Sequence, residues 1–226
     1  NREFRTSALV AEHLRGLGME VRTGIAHTGV TGRLRGGRPG PRIALRADMD
    51  ALPVTERVDL PFASRVTTEY AGQTTGVMHA CGHDAHVAIL MGVAEALAGM
   101  REDLPGEVLF VFQPAEEGPP PGEDGGASMM LAEGIFEDFQ PEAVFGLHVW
   151  ASLPVGTLGY RSGPMMASAD RWVLDVQGTQ THGSRPWGGV DPISLAAQIL
   201  QATHSIIARQ IDITASPAVL TAGSVH

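Results

Sequence analysis

A short segment in the first half of the chain concentrates side chains that bind transition metals. Residues 78–86 read Met-His-Ala-Cys-Gly-His-Asp-Ala-His and contain Cys81, the only cysteine of the chain. One glycine separates Cys81 from His83, so a tight loop can bring a thiolate and an imidazole to the same divalent ion. The spacing therefore predicts a metal site at these two residues. His79 and His86 belong to the same segment, and the pattern does not define a role for either.

Two adjacent carboxylates follow the apolar run from Glu107 to Gln113. They are Glu116 and Glu117. Neighbouring side chains in an extended segment point to opposite sides, so the two residues can have different tasks. One carboxylate can bind the metal while the other accepts the proton of a water molecule. The residues themselves do not decide which glutamate has which task.

A second pair of carboxylates follows the predicted strand from Arg42 to Ala47. Asp48 and Asp50 lie two positions apart and share one face of an extended chain. They either bind the metal or accept a hydrogen bond from a metal-bound imidazole and so orient it. His148 lies near the end of another apolar run, residues 143–149. A histidine in such a strand is most often a core residue, so its assignment as a ligand depends on the other motifs.

Cys81 also permits two other interpretations. A thiol beside a histidine can be the nucleophile of a cysteine hydrolase. However, a cysteine and a histidine this close in sequence suit chelation better than proton transfer between aligned groups. A non-catalytic metal-binding or dimerisation protein is the other alternative.

Composition narrows the classes of function. The formal net charge is −9 without a dense basic cluster, so no nucleic-acid partner is expected. All 16 cationic residues are arginine, which excludes Schiff-base and phosphate-loop lysines within this sequence. A single cysteine forms no internal disulfide, which favours a reducing compartment. The most apolar stretch, residues 87–93, is shorter than the roughly 20 residues of a membrane span. We therefore expect a soluble, cytoplasmic protein without membrane contact.

Hydrophobic periodicity alternates between strands and helices over the first two thirds of the chain. Helices are predicted at residues 6–18, 85–100 and 127–133, and strands at residues 19–23, 30–35, 42–47, 107–113 and 143–149. This alternation predicts an α/β fold with a mostly parallel central sheet flanked by helices. Open α/β sheets commonly place functional groups at the carboxyl ends of their strands, where Asp48 and Asp50 are expected.

The pattern changes after about Met165. Residues 171–177 alternate like a half-exposed strand, Asp191 and Pro192 begin a helix that runs to Arg209, and residues 218–225 form another predicted strand. This order suggests the first half of a smaller α+β domain, so we interpret the sequence as a fragment. The predicted domains are residues 1–165 and 166–226.

Several motifs together resemble the metal-dependent aminoacylase and carboxypeptidase family, in particular its amidohydrolase branch with hippurate hydrolase and the auxin-conjugate hydrolases. The motifs, in chain order, are residues 45–53, 79–86, 113–118, 125–127, 146–150, 181–187 and 189–193. The match spans nearly the whole chain. It implies a catalytic domain followed by a ferredoxin-like lid domain, here truncated, through which the protein forms a homodimer.

The same resemblance implies a role for each candidate site residue. The implied metal ligands are Cys81, His83, Glu117 and His148. Glu116 is the implied general base, and Asp50 supports the site without binding metal. His182, in the lid domain, stabilises the carbonyl oxygen or grips the substrate, with a dimer partner as one possible source of this residue. A further histidine ligand is expected beyond His226.

The implied reaction is hydrolysis of the amide bond of N-acyl amino acids, such as hippurate-like conjugates. The implied cofactor is a divalent metal, as one or two ions. A site with sulfur, nitrogen and oxygen ligands admits zinc, manganese, cobalt or nickel. Water activated by the metal would attack the amide carbonyl, with the glutamate accepting its proton.

Overall fold

The chain forms two compact units, residues 1–154 and 155–226. The computed structural model describes residues 1–166 and 168–226. Ala167 lies outside the described residues.

The first unit alternates strands and helices. Its elements are α1 (Phe4–Gly16), β1 (Glu20–Ile25), β2 (Gly29–Arg35), β3 (Arg38–Asp48), β4 (Thr67–Tyr70), β5 (Gln73–Gly76), α2 (His83–Gly99), β6 (Pro105–Gln113), α3 (Gly126–Ala132) and β7 (Ala143–Gly146). Every helix and strand predicted for this unit is present. The β4–β5 hairpin has no counterpart in the prediction because its polar strands, largely exposed, lack an apolar alternation.

A five-stranded sheet in the order β1-β2-β6-β3-β7 organises this unit. Strand β3 runs parallel to both β6 and β7, whereas β2 pairs antiparallel with both β1 and β6. The predicted α/β class is therefore confirmed, with a mixed sheet. The parallel register pairs Asp48 with Gln113, so the carboxyl ends of β3 and β6 lie side by side. The residues that follow both strands consequently start from the same edge.

Apolar side chains fill the space on both faces of the sheet. On one face, α1 and α2 pack against β6 through a cluster that includes Leu14, Leu90 and Phe110. On the other face, Leu109 and Val111 of β6 pack with residues in and after α3. Both alternating sets of β6 side chains are therefore buried, which explains why this strand is a continuous apolar run.

The strand that precedes His148 is shorter than predicted. The sequence suggested a strand over residues 143–149, but β7 ends at Gly146. Its ladder with β3 ends at the pair Arg46 and Gly146. Further on, the N–H of Val149 donates to the side chain of His86 instead of to a strand. His148 therefore lies beyond the sheet edge.

The second unit contains one long helix, α4 (Pro192–Gln210), and a 3-10 helix at Pro186–Gly188. Helix α4 confirms the predicted start at an Asp-Pro pair. The carboxylate of Asp191 accepts a hydrogen bond from the N–H of Ile193 at 2.9 Å, and Pro192 occupies the first turn, where no N–H is needed.

The prediction of two strands beside this helix is wrong. Residues 171–177 and 218–225 are described in full and carry no strand. Much of both segments borders, with α4, a cavity of about 1300 Å³. Alternating apolar residues favour an extended chain, but two isolated strands are only marginally stable without further strands to pair with.

None of the described helices combines the length and the apolar character required to cross a bilayer.

Replacement of Phe110 by alanine tests the assignment of the core of the first unit. The ring is fully buried, so the variant should lose about 3–5 kcal/mol of unfolding free energy. Urea denaturation followed by circular dichroism measures the loss. Phe62→Ala is the matched control, because that ring is 80% exposed and should cost little. Equal losses in the two variants would contradict the assignment of the core.

Candidate metal centre

His83 is the residue around which the candidate site is arranged. It is the first residue of α2, and its side chain is fully buried. Its Nδ1 lies 3.1 Å from Oδ1 of Asp50. An ionised carboxylate only accepts, so Nδ1–H is the donor, and in the neutral imidazole Nε2 carries the lone pair. This is the tautomer that binds a metal through Nε2. Burial acts to lower the pKa of His83, but the hydrogen bond to Asp50 and the charges of Asp48 and Glu116 outweigh it and raise this pKa, so a proton competes with a metal ion for Nε2.

The Nε2 atom of His83 has no hydrogen-bond partner although it is buried. Three carboxylate oxygens surround it: Oδ2 of Asp48 at 3.7 Å, Oε2 of Glu116 at 3.8 Å and Oε1 of Glu117 at 3.9 Å. A buried polar atom without a partner is rare in a folded protein. These carboxylates and the free lone pair fit a divalent cation among them.

Cys81 and His148 complete the arrangement around His83. The Sγ atom of Cys81 lies 3.4 Å from Nε2 of His148. Ligands at about 2.0–2.3 Å from one tetrahedral ion are separated by roughly 3.5 Å, so this distance is compatible with a shared metal. Ligand atoms of Cys81, His83 and His148 lie within 4.8 Å of one another, as do those of His83, Glu116 and Glu117. His83 belongs to both groups.

Glycine at position 82 is needed for this approach. Gly82 has φ +85°, in the left-handed region that other residues rarely adopt. A Cβ atom built at this position would lie 2.3 Å from Cγ2 of Val149. The glycine therefore lets the chain turn between Cys81 and His83 and lets the segment with His148 pass close by.

Asp50 connects His83 to the glutamate loop. Its second oxygen, Oδ2, accepts the backbone N–H of Glu117 at 2.9 Å. Burial acts to raise the pKa of Asp50, but hydrogen bonds from His83 and from backbone N–H groups of the loop outweigh it, so this pKa is lowered. The loop itself begins with Ala115 at φ +46°, an unusual conformation for a residue with a side chain. Asp50 thus remains ionised and fixes two parts of the site at once.

The concentration of carboxylates changes the chemistry of two neighbouring groups. Burial raises the pKa of Glu116; Arg46 opposes the shift, and the charges of Asp48 and Glu117 add to it. Burial, followed by the adjacent Glu117, raises the pKa of Cys81 to about 11. Without a cation, the site is therefore unfavourable for a thiolate.

The structure brings six of the seven residues predicted for the site into one unit. They are Asp50, Cys81, His83, Glu116, Glu117 and His148. The seventh, His182, lies in the second unit, where its Nδ1 is 2.8 Å from Oγ of Ser184. The individual roles of these residues stay predictions.

The sequence pattern allowed Asp48 to be a metal ligand or an acceptor that orients an imidazole, and it defined no role for His86. In the structure, Oδ1 of Asp48 lies 2.5 Å from Nδ1 of His86, and Oδ2 lies 2.7 Å from Nη1 of Arg46. Asp48 therefore orients a histidine, as Asp50 does. The signal was present in the spacing, because Arg46 and Asp48 share one strand face while His83 and His86 share one helix face.

The Gly82→Ala variant should lower the metal affinity of the protein. It combines a strained backbone with a clash against Val149, so Cys81 and His148 can no longer approach each other. Gly72→Ala is a matched control: Gly72 has φ +76° but open space around its position for Cβ. Competition with a chromogenic chelator measures zinc or cobalt affinity. Equal affinities in the two variants would show that the close approach at Gly82 is not required.

The comparisons with known proteins extend over most of the chain. The model of peptidase family M20/M25/M40 matches residues 44–224. Thermostable carboxypeptidase 1 of Saccharolobus solfataricus is 45% identical over 226 residues, which are 100% of this chain and 54% of the relative. The hippurate hydrolase of Campylobacter jejuni is 40% identical over 213 residues, which are 93% of this chain and 51% of the relative.

A solved structure is also similar to this chain. The YxeP protein of Bacillus subtilis, a dinuclear metal-binding peptidase of the M20 family, is 40% identical with a TM-score of 0.62. The similarity covers 72% of this chain and 42% of that protein. The chain spans about half the length of the curated relatives it matches. These matches confirm the resemblance inferred from the motifs, and the chain belongs to peptidase family M20/M25/M40.

Proposed function

We propose that this chain supplies the metal-binding part of an amidohydrolase that cleaves the amide bond of N-acyl amino acids. The observation that carries the proposal is the free Nε2 of His83, which is fixed by Asp50 and surrounded by carboxylates. Membership of a peptidase family supports hydrolysis of an amide bond. The relative from Campylobacter jejuni is named for hippurate, itself an N-acyl amino acid.

The proposed ligands combine a thiolate, two imidazoles and a carboxylate. They are Cys81, His83, His148 and Glu117. This mixed set is compatible with one or two ions of zinc, manganese, cobalt or nickel. A bound ion would supply a Lewis acid that acidifies water and polarises the substrate carbonyl. It would also offset the carboxylate charges that raise the pKa values of Glu116 and Cys81.

Glu116 is the proposed general base. Its side chain is next to His83 but, unlike that of Asp50, is not held by a hydrogen bond from the imidazole. Partial burial raises its pKa, which makes its carboxylate a better proton acceptor than a fully solvated glutamate. Glu116 would take a proton from the attacking water and then deliver it to the nitrogen of the leaving amine. The products are a carboxylic acid and an amino acid.

The second unit supplies the remaining proposed components. We assign residues 166–226 to the first half of a ferredoxin-like lid that dimerises, and residues 155–165, which fall in the same compact unit, to the catalytic domain. His182 would stabilise the oxyanion or bind the substrate. Hinge closure or a partner subunit would bring it to the metal ligands.

The thiol of Cys81 is poorly suited to the alternative role of nucleophile. Catalytic cysteines have lowered pKa values in electropositive surroundings. Here burial and the neighbouring carboxylates raise the pKa to about 11, so little thiolate exists near neutral pH. The surroundings therefore favour a metal ligand. A non-catalytic metal-binding protein shares the ligand set and differs from the proposed enzyme only in turnover.

Glu116→Gln and Glu117→Gln should fail in different ways in the full-length protein. The first variant should keep its metal and lose roughly 10²–10⁴-fold or more in kcat, because it removes a proton acceptor. The second should bind metal more weakly, because it removes a ligand. Hydrolysis of a panel of N-acyl amino acids and metal analysis on the same samples give both readouts. If excess metal restores the activity of Glu116→Gln but not that of Glu117→Gln, the two roles are the reverse of those proposed.

Alkylation of Cys81 separates a ligand from a nucleophile. With a pKa of about 11, the metal-free thiol should react slowly with iodoacetamide at pH 7 and faster as the pH rises toward that value. Bound metal should protect it. Mass spectrometry after timed quenching follows the reaction. Fast labelling at neutral pH that abolishes turnover while the metal stays bound would favour the cysteine hydrolase.

A further inference from the structure

The backbone of Val149 is held by a histidine at its N–H and by another at its carbonyl oxygen. Its N–H donates to Nε2 of His86 at 2.9 Å, and its carbonyl oxygen lies 2.6 Å from Nδ1 of His148. A carbonyl only accepts, so His148 carries its proton on Nδ1, and its unprotonated Nε2 accepts from the thiol of Cys81 at 3.4 Å. The orientation of the His148 ring thus depends on where the backbone of Val149 lies.

His86 accepts the N–H of Val149 from a buried position. Its side chain is 1% exposed, and its Nδ1 faces Oδ1 of Asp48 at 2.5 Å. Asp48 in turn accepts from Nη1 of Arg46, whose Nε donates to Oε1 of Gln113 at 2.9 Å. The carboxylate requires a proton on Nδ1 of His86, which leaves Nε2 as the acceptor for Val149. One neutral tautomer satisfies every contact.

Asp48, His83 and His86 form a further group whose ligand atoms lie within 4.8 Å of one another, but hydrogen bonds occupy the ring nitrogens of His86. Both ring nitrogens are engaged, one with Asp48 and one with Val149. His86 and His148 are nevertheless in contact, with ring centroids 4.7 Å apart in an edge-to-face arrangement. The buried imidazole therefore acts on the position of His148 and does not extend the ligand set.

We infer that His86 is a positioning residue that places His148 beside Cys81 by holding the backbone N–H of Val149; this rests on the proposed metal site. The sheet cannot perform this task, because β7 ends at Gly146 and its ladder stops there. His148 is itself exposed, so burial does not fix its ring. Gly82 leaves the space that the Val149 side chain occupies.

Three substitutions of His86 in the full-length protein separate its two hydrogen bonds. His86→Phe removes both and keeps a ring. His86→Asn places an amide nitrogen near the position of Nδ1 and can serve Asp48 alone. His86→Gln places an amide oxygen near the position of Nε2 and can still accept from Val149. His13→Phe is the control, because the polar partners of that histidine among the described residues are the backbone of Met91 and the carboxylate of Glu95, both away from the site.

Metal affinity should follow the contact with Val149. Loss of a group that orients a metal-binding histidine typically costs roughly 10–100-fold in affinity. We expect this loss in His86→Phe and His86→Asn, a recovery to within a few-fold in His86→Gln, and no change in His13→Phe. Zinc or cobalt titration against a chelator gives the affinities. If folded Asn and Gln variants bind metal equally well, the inference is overturned.

The metal-free protein provides an independent readout. Long-range ¹H–¹⁵N spectra of the histidines distinguish the two imidazole tautomers. The proton of His148 should be fixed on Nδ1 in the wild-type protein and in His86→Gln, and should exchange between the nitrogens in His86→Asn. His83 should keep its tautomer in all variants because Asp50 holds it.

These spectra distinguish failure of the inference from failure of the proposed function. Wild-type protein that binds no divalent metal would overturn the proposed function, while the tautomer of His148 would still report on His86. An unchanged His148 signal in folded His86→Asn would overturn the positioning role. If His86→Phe does not fold, the Asn and Gln variants alone decide the question.

Discussion

The hydrogen bond between Asp50 and His83 is the interaction on which the rest of the site depends. Asp50 fixes the imidazole through Oδ1 at 3.1 Å and holds the backbone of Glu117 through Oδ2 at 2.9 Å. A buried carboxylate is costly unless its oxygens are hydrogen-bonded, and here both are. The same residue therefore orients one candidate ligand and anchors the loop that carries the next.

Two aspartates orient two histidines in a matched arrangement. Asp50 bonds to His83, and Asp48 bonds to His86. Residues two apart share a face of an extended chain, and residues three apart share a face of a helix, so the two spacings are complementary. The two pairs nevertheless differ in purpose. Nε2 of His83 stays free, whereas Nε2 of His86 is occupied by Val149.

Negative charge accumulates at the carboxyl edge of the parallel strands. The pairing of Asp48 with Gln113 brings the segments after β3 and β6 together, with aspartates on one and glutamates on the other. The raised pKa values of Glu116 and Cys81 are consequences of this crowding and of burial. A divalent cation is the ligand whose charge best complements such a cluster.

The sequence by itself determined the α/β class, the helices of the first unit, its strands other than β4 and β5, and the kinds of side chain that meet at the site. These properties are local, because periodicity reports which faces are buried and residue type reports ligand chemistry. Only the tertiary structure showed that His86 holds Val149, 63 positions away, and that β7 stops before His148. It also showed that residues 171–177 and 218–225 do not form the expected strands. Hydrogen bonds between distant residues depend on strand order and on available partners, and neither is encoded in the local pattern.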